Sequence, residues 1–241
     1  MIERERLTPV LAAKKLISSN FPHCQGALLA GSVVRGEATQ TSDLDIVIFE
    51  KDRKASYRES LFAYDWPMEI FVHGFSSYKY FFMEDCRRGR PSMPQMVAEG
   101  VVLKDEGMMG ALREEASECL NRGPEPWSKL MIDTKRYFIT DALDDLIGCQ
   151  KREEALFIAN TLAELVSEFY LRTNRQWTGA SKWLVRALKQ FDPNFTLDFV
   201  SAFDLFYRTN QIEGVAKLVD KVLEPYGGRF FHGFISGEKK A

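Results

Sequence analysis

The sequence predicts an α+β protein: a mixed sheet flanked by helices in the first half, then a helical bundle. Three observations carry this expectation. Short apolar runs rich in β-branched residues fall at 26–30, 44–49, 68–73 and 101–105. A stretch containing Gly123, Pro124 and Pro126 then interrupts the chain. Beyond it, apolar residues recur at helical spacing. The break divides the 241 residues into 1–121 and 122–241, each of ordinary domain size.

Taken in order, residues 7–19 read as an amphipathic helix, with Thr8 as its cap and Pro9 at the first helical position. Asn20, Phe21 and Pro22 end it. Residues 26–30 form a first strand, 33–38 a short turn or helix, and 44–49 a buried second strand. The charged stretch 52–64 is expected to be a surface helix. Pro67 introduces a third strand at 68–73, followed by an aromatic-rich helix at 76–86 whose rings serve core packing. Arg87, Arg88 and Arg90 form a basic cluster, read as solvated. A short helix at 93–99, a strand at 101–105 and a helix at 107–120 complete the first half.

The second half supplies about five helices. Residues 130–147 carry Met131, Phe138, Ile139, Ala142, Leu143 and Leu146 on one face, with Tyr137, Asp141, Asp144 and Asp145 opposite. Residues 155–171 are apolar nearly all round and read as the buried centre of the bundle. Residues 181–191 put Lys182, Arg186 and Lys189 on one stripe, with Ser181 or Thr178 as a cap. Helices at 197–207 and 212–223 follow, then Gly227-Gly228 reads as a turn and the Lys239-Lys240 tail as a loose end.

Composition narrows the classes of function. Hydrophobic residues make up 45% and charged residues 27%, as in an ordinary soluble globular protein. No stretch has the apolar length to span a bilayer, and the N-terminus lacks a signal-peptide core. A net charge of −2 argues against a polymeric nucleic acid as partner and fits a small-molecule substrate better. Cys24, Cys86, Cys119 and Cys149 show no C-x-x-C spacing and are expected to be reduced thiols. The expected location is cytoplasmic.

The chemistry concentrates in residues 27–49. Asp43 and Asp45, two apart at the start of a strand, point to the same side. Adjacent carboxylates repel and raise each other's pKa, so the pair needs a cation. Oxygen-only ligands suit Mg²⁺ or Mn²⁺. Gly31, after an apolar strand, permits a turn whose N–H groups face an anion, and Ser32 adds a hydroxyl donor. Ordinary turn chemistry accounts for Asp43 alone but does less well for the whole set. Glu69, between Met68 and Ile70 on a later strand, is costly to bury unless compensated. The alternative is an edge strand that leaves Glu69 in water.

Gly31-Ser32, Arg35-Gly36 and Ser42-Asp43-Leu44-Asp45 together resemble the signature of the nucleotidyltransferase superfamily related to DNA polymerase β. The Arg-Gly step is similar to the minimal and the kanamycin-type antibiotic nucleotidyltransferases. The motif covers some twenty residues, and a weaker match extends over the first half. The resemblance implies that Asp43, Asp45 and Glu69 hold one or two Mg²⁺ (or Mn²⁺) ions. It implies that Gly31, Ser32 and Arg35 grip the phosphates of a nucleoside triphosphate such as ATP. The product would be a nucleoside monophosphate, AMP above all, joined to a hydroxyl of a small molecule such as an aminoglycoside-like antibiotic. In the helical half, Lys182 is the candidate phosphate contact, and Tyr137, Asp141 and Asp144 the candidate acceptor site. Two alternatives stay open: an antitoxin-type nucleotidyltransferase that modifies a partner protein, and a non-catalytic nucleotide-binding protein. A homodimer also stays open.

Overall fold

The computed structural model describes residues 6–237. The chain divides into two compact units, Met1–Gly123 and Pro124–Ala241.

The first unit is a five-stranded mixed sheet with helices on both faces. Helix α1 (Pro9–Asn20) starts where Thr8 Oγ1 accepts the amide N–H of Leu11 and Pro9 occupies the first turn, which has no use for a donor there. Strands β1 (Gly26–Ala30), β2 (Leu44–Glu50), β3 (Tyr57–Ala63), β4 (Trp66–Gly74) and β5 (Val101–Asp105) lie in the order β3-β4-β2-β1-β5. β2 runs antiparallel to β1 and parallel to β4. It is central and covered on both faces, which is why residues 46–49 are a continuous apolar run. Ala12, Leu16, Leu29, Ile46 and Ile70 fill the layer under α1. On the other face Leu28, Val47 and Phe49 pack against α2 (Tyr78–Arg87), α3 (Ser92–Glu99) and α4 (Met109–Arg122).

Residues 57–63 are a strand, not part of the expected helix. β3 pairs antiparallel with β4 through a two-residue turn, Tyr64-Asp65, and both turn residues have positive φ. Such turns favour Asn-Gly or Asp-Gly, so the hairpin lacks its usual sequence signal. The period is nonetheless present, because Leu61 and Ala63 pack on the core while Arg58, Ser60 and Phe62 face the other way.

The thiols also depart from expectation: Cys86 of α2 and Cys119 of α4 are paired as a disulfide, 33 residues apart. A bond between two packed helices leaves no short spacing motif to read. Arg87 and Arg88 pair with Glu84 and Asp85 on their own helix, and Asp85 also accepts the Met93 N–H at the start of α3.

The second unit contains α5 (Lys129–Gly148), α6 (Arg152–Thr173), α7 (Lys182–Phe191), α8 (Pro193–Thr209) and α9 (Glu213–Leu223). Its core joins Ile139, Leu143 and Leu146 to Leu162, Val166 and Phe169, with Phe199, Phe203 and Phe206 from α8. Two expectations change. Met131 and Phe138 of α5 are exposed, and Arg136 and Thr140 are buried instead. Helix α6 is not apolar all round in its setting, because Leu156 and Phe157 reach solvent, Phe157 at 77% exposure. Lys239 and Lys240, expected as a loose end, lie outside the described residues, whereas residues 228–234 before them are held to α5. Arg136 donates to the Gly228 carbonyl, the Phe230 N–H donates to Thr140 Oγ1, and Phe234 stacks on Tyr137 at 3.9 Å between ring centres.

Candidate active site

The motif residues of the first unit gather where β1 ends and β2 begins. Because β1 and β2 are antiparallel, Ala30 lies opposite Asp45, and the turn leaving β1 at Gly31 starts beside that carboxylate. Because β2 and β4 are parallel and in register, Asp45 also pairs with Glu69. Each residue of such a pair projects to the same side of the sheet. Asp43, Asp45 and Glu69 therefore meet, each with a carboxylate oxygen within 4.8 Å of the others, and all three are part-buried.

The electrostatics follow from this crowding. Burial, then the neighbouring Asp43 and Glu69, push the Asp45 carboxyl from 3.8 up to about 6, against the opposing pull of Arg35 and Arg58. A site of three carboxylate oxygens whose members oppose each other's ionisation fits a hard divalent cation, the species that removes the repulsion.

The loop after β1 is built for close approach. Gly31 has φ +82°, and a Cβ there would occupy the space of the Asp45 carboxylate. The Val34 and Arg35 amides bond back to the Gly31 carbonyl, and the Glu37 amide bonds to that of Ser32. Ser32 Oγ donates to Ser42 Oγ at 3.2 Å, and Ser42 Oγ accepts the Thr39 N–H at 2.8 Å. The two ends of the motif, Ser32 and Ser42, are thereby tied together across ten residues. Arg35 pairs with Glu37 at 3.2 Å and with Glu99 of α3 at 3.4 Å.

Residues 13–83, from within α1 to within α2, match the profile of the nucleotidyltransferase domain family. That stretch, which holds the Gly31 turn and all three carboxylates, is a nucleotidyltransferase domain. Comparison with curated proteins finds no match. Among solved structures, the nucleotidyltransferase-like protein from Exiguobacterium sibiricum 255-15 is similar over 90% of this chain and 75% of its own, at 11% identity and a TM-score of 0.49.

Within the nucleotidyltransferase domain, one residue beside the acids escapes a reading of the sequence. Arg58 of β3 forms an ion pair with Glu69. Treating 52–64 as a helix hid it, whereas the period-two pattern of 57–63 would have placed it. His73, four residues beyond Glu69, is not drawn to the acids. It is buried and hydrogen-bonded to Ser56 at 3.0 Å, and burial lowers its pKa to about 4, so it is neutral.

The candidate residues of the helical unit occupy separate settings within that unit. Tyr137 is part-buried between Phe231 and Phe234. Asp141 is part-buried, while Asp144 is exposed and 3.7 Å from Arg229. Lys182 is exposed in the first turn of α7. Ser181, one of the two expected cap candidates, precedes it at φ +53° and makes no side-chain cap.

Proposed function

We propose that the chain is an enzyme that transfers a nucleoside monophosphate, AMP from ATP in the first instance, to a hydroxyl of a small molecule. The observation that carries this reading is the convergence of Asp43, Asp45 and Glu69 beside the Gly31 turn. Domains of this family generally work with a divalent cation and a nucleoside triphosphate. In this reading Asp43, Asp45 and Glu69 hold Mg²⁺, or Mn²⁺ in its place. When bound, the cation supplies charge neutralisation at the phosphates and at the departing pyrophosphate.

The remaining work falls to the chain's own groups. Gly31 lets the backbone approach a phosphate without a side chain in the way, and Ser32 offers a hydroxyl donor. Arg35 adds a cation near the same loop. The packing of β2 between β1 and β4 holds Asp45 rigidly, which favours a fixed reacting geometry. On the acceptor side we assign Asp141, Asp144 and Tyr137, whose ring stacks on Phe234. Two carboxylates three residues apart on α5 favour a cationic, polyhydroxylated acceptor of the aminoglycoside kind. Either aspartate can take the proton of the attacking hydroxyl if it comes within hydrogen-bond reach of it. Lys182 is assigned a phosphate contact.

The test uses ATP labelled at the α-phosphate, with Mg²⁺, against a panel of aminoglycosides, other hydroxyl-bearing small molecules and cell extract. Label appearing in a small-molecule product, absent in Asp43→Asn and Asp45→Asn, is the expected result. Label appearing only in a protein would transfer the assignment to protein modification. Failure to label any acceptor, with release of no pyrophosphate, would overturn the enzymatic reading.

A further inference from the structure

The sheet sets a cation of the chain's own against the carboxylate triad. Ser60 of β3 pairs with Glu69 of β4, and Arg58 with Phe71. Residues two apart on a strand share a face, so Arg58 is the diagonal neighbour of Glu69, on the side that carries Asp45. A long side chain can cross that diagonal, and the Arg58 guanidinium does so, pairing with Glu69 Oε1. It also lies over the Phe71 ring, with Cζ 5.2 Å from the ring centre.

Such a pair is a poor source of stability, because the Arg58 side chain is 58% exposed. Its position is what matters. Glu69 is one of the three carboxylates that converge within 4.8 Å, and Arg58 takes up one of its oxygens. A guanidinium and a divalent cation draw on the same negative charge. β3 is an edge strand with solvent beyond it, so the guanidinium can leave Glu69 without leaving water.

We propose that Arg58 is the resident counter-ion of Glu69 in the metal-free protein, a group that competes with the metal for that carboxylate. It holds one oxygen of that carboxylate from the β3 side, across β4 from Asp45, and yields it when a divalent cation enters. The proposal rests on the reading of the triad as a metal centre. It makes Arg58 a competitor that weakens cation binding, so that the site fills at higher cation concentrations than three bare carboxylates would require.

The experiment measures Mn²⁺ binding without nucleotide, by the electron paramagnetic resonance signal of the free ion, at low salt and pH 8. Arg58→Ala is expected to bind Mn²⁺ roughly three- to tenfold more tightly than the wild type, and Arg58→Lys within about twofold of it. The gap between Arg58→Ala and the wild type should shrink at about 0.5 M salt, where exposed charges are screened. Glu69→Gln should bind more weakly, and adding Arg58→Ala to it should give a smaller gain than in the wild type, since the ion pair with Glu69 is then already gone. Arg58→Gln, which keeps the length of the side chain, replaces Arg58→Ala if that variant fails to fold. Unchanged or weaker Mn²⁺ affinity in a folded Arg58 variant overturns the counter-ion role while leaving the metal centre standing. Absence of Mn²⁺ binding by the wild type overturns the metal centre, and this proposal with it.

Discussion

Replacing Asp45 by Asn should make the metal-free protein more stable, and the gain should depend on pH in a defined way. In the unfolded chain this carboxyl titrates near 3.8, and in the folded protein near 6, chiefly because of burial and then Asp43 and Glu69. Between those values the folded state binds more protons than the unfolded state, so the wild type loses stability as pH rises through the window. Above pH 6 the loss is complete, and below about 4 it vanishes. At about 1.4 kcal/mol per pH unit the shift sets a ceiling of about 3 kcal/mol. The carboxylate is part-exposed, and water relaxes around it, so about 1–2 kcal/mol is the expected gain.

Urea unfolding of wild type and Asp45→Asn at pH 4 and pH 8, in a chelator, measures it. The variant should match the wild type at pH 4 and exceed it at pH 8. With Mg²⁺ at about ten times its dissociation constant, the wild type should recover about 1.4 kcal/mol that the variant does not. The electrostatic account is refuted if Asp45→Asn is no more stable at pH 8 without metal. It is equally refuted if the difference is the same at both pH values.

Gly31→Ala should lose nucleotidyl transfer and about 1–3 kcal/mol of stability, because its Cβ would enter the space of the Asp45 carboxylate at φ +82°; transfer assays and urea melts read both. Asp144→Asn should lower kcat at least tenfold with little change in the KM for ATP, and unchanged kcat would remove Asp144 from the acceptor site. Lys182→Ala should raise the KM for ATP severalfold, whereas an unchanged KM would leave Lys182 a solvated surface charge. Asp65→Gly should add about 0.5–1 kcal/mol in the same melts, since it relieves a positive-φ aspartate in the β3–β4 turn; a loss would mean that the Asp65 side chain stabilises the turn more than its backbone strains it.

The stretch from Gly31 to Asp45 was legible because its chemistry is local. Two carboxylates at i and i+2 before an apolar strand share a side whatever the rest of the chain does, and a glycine after a strand marks a turn. The same locality made α1 readable, where Thr8 and Pro9 both act within one helical turn. In β2 the continuous apolar run announced a strand covered on both faces.

Tertiary structure decided what depended on partners distant in sequence. Glu69 could be nominated from its apolar neighbours, but only the parallel register of β2 and β4 sets it opposite Asp45. Arg58 became visible only once 57–63 was paired as a strand, because its two-residue turn uses Tyr64 and Asp65 rather than the glycine that normally announces a hairpin. The Cys86–Cys119 pairing and the stacking of Phe234 on Tyr137 likewise join elements 33 and 97 residues apart. Sequence fixes which groups a short stretch can offer and on which side, since strand and helix periods are local geometry. Which other groups meet them is set by register and packing between elements, and spacing along the chain carries no record of that.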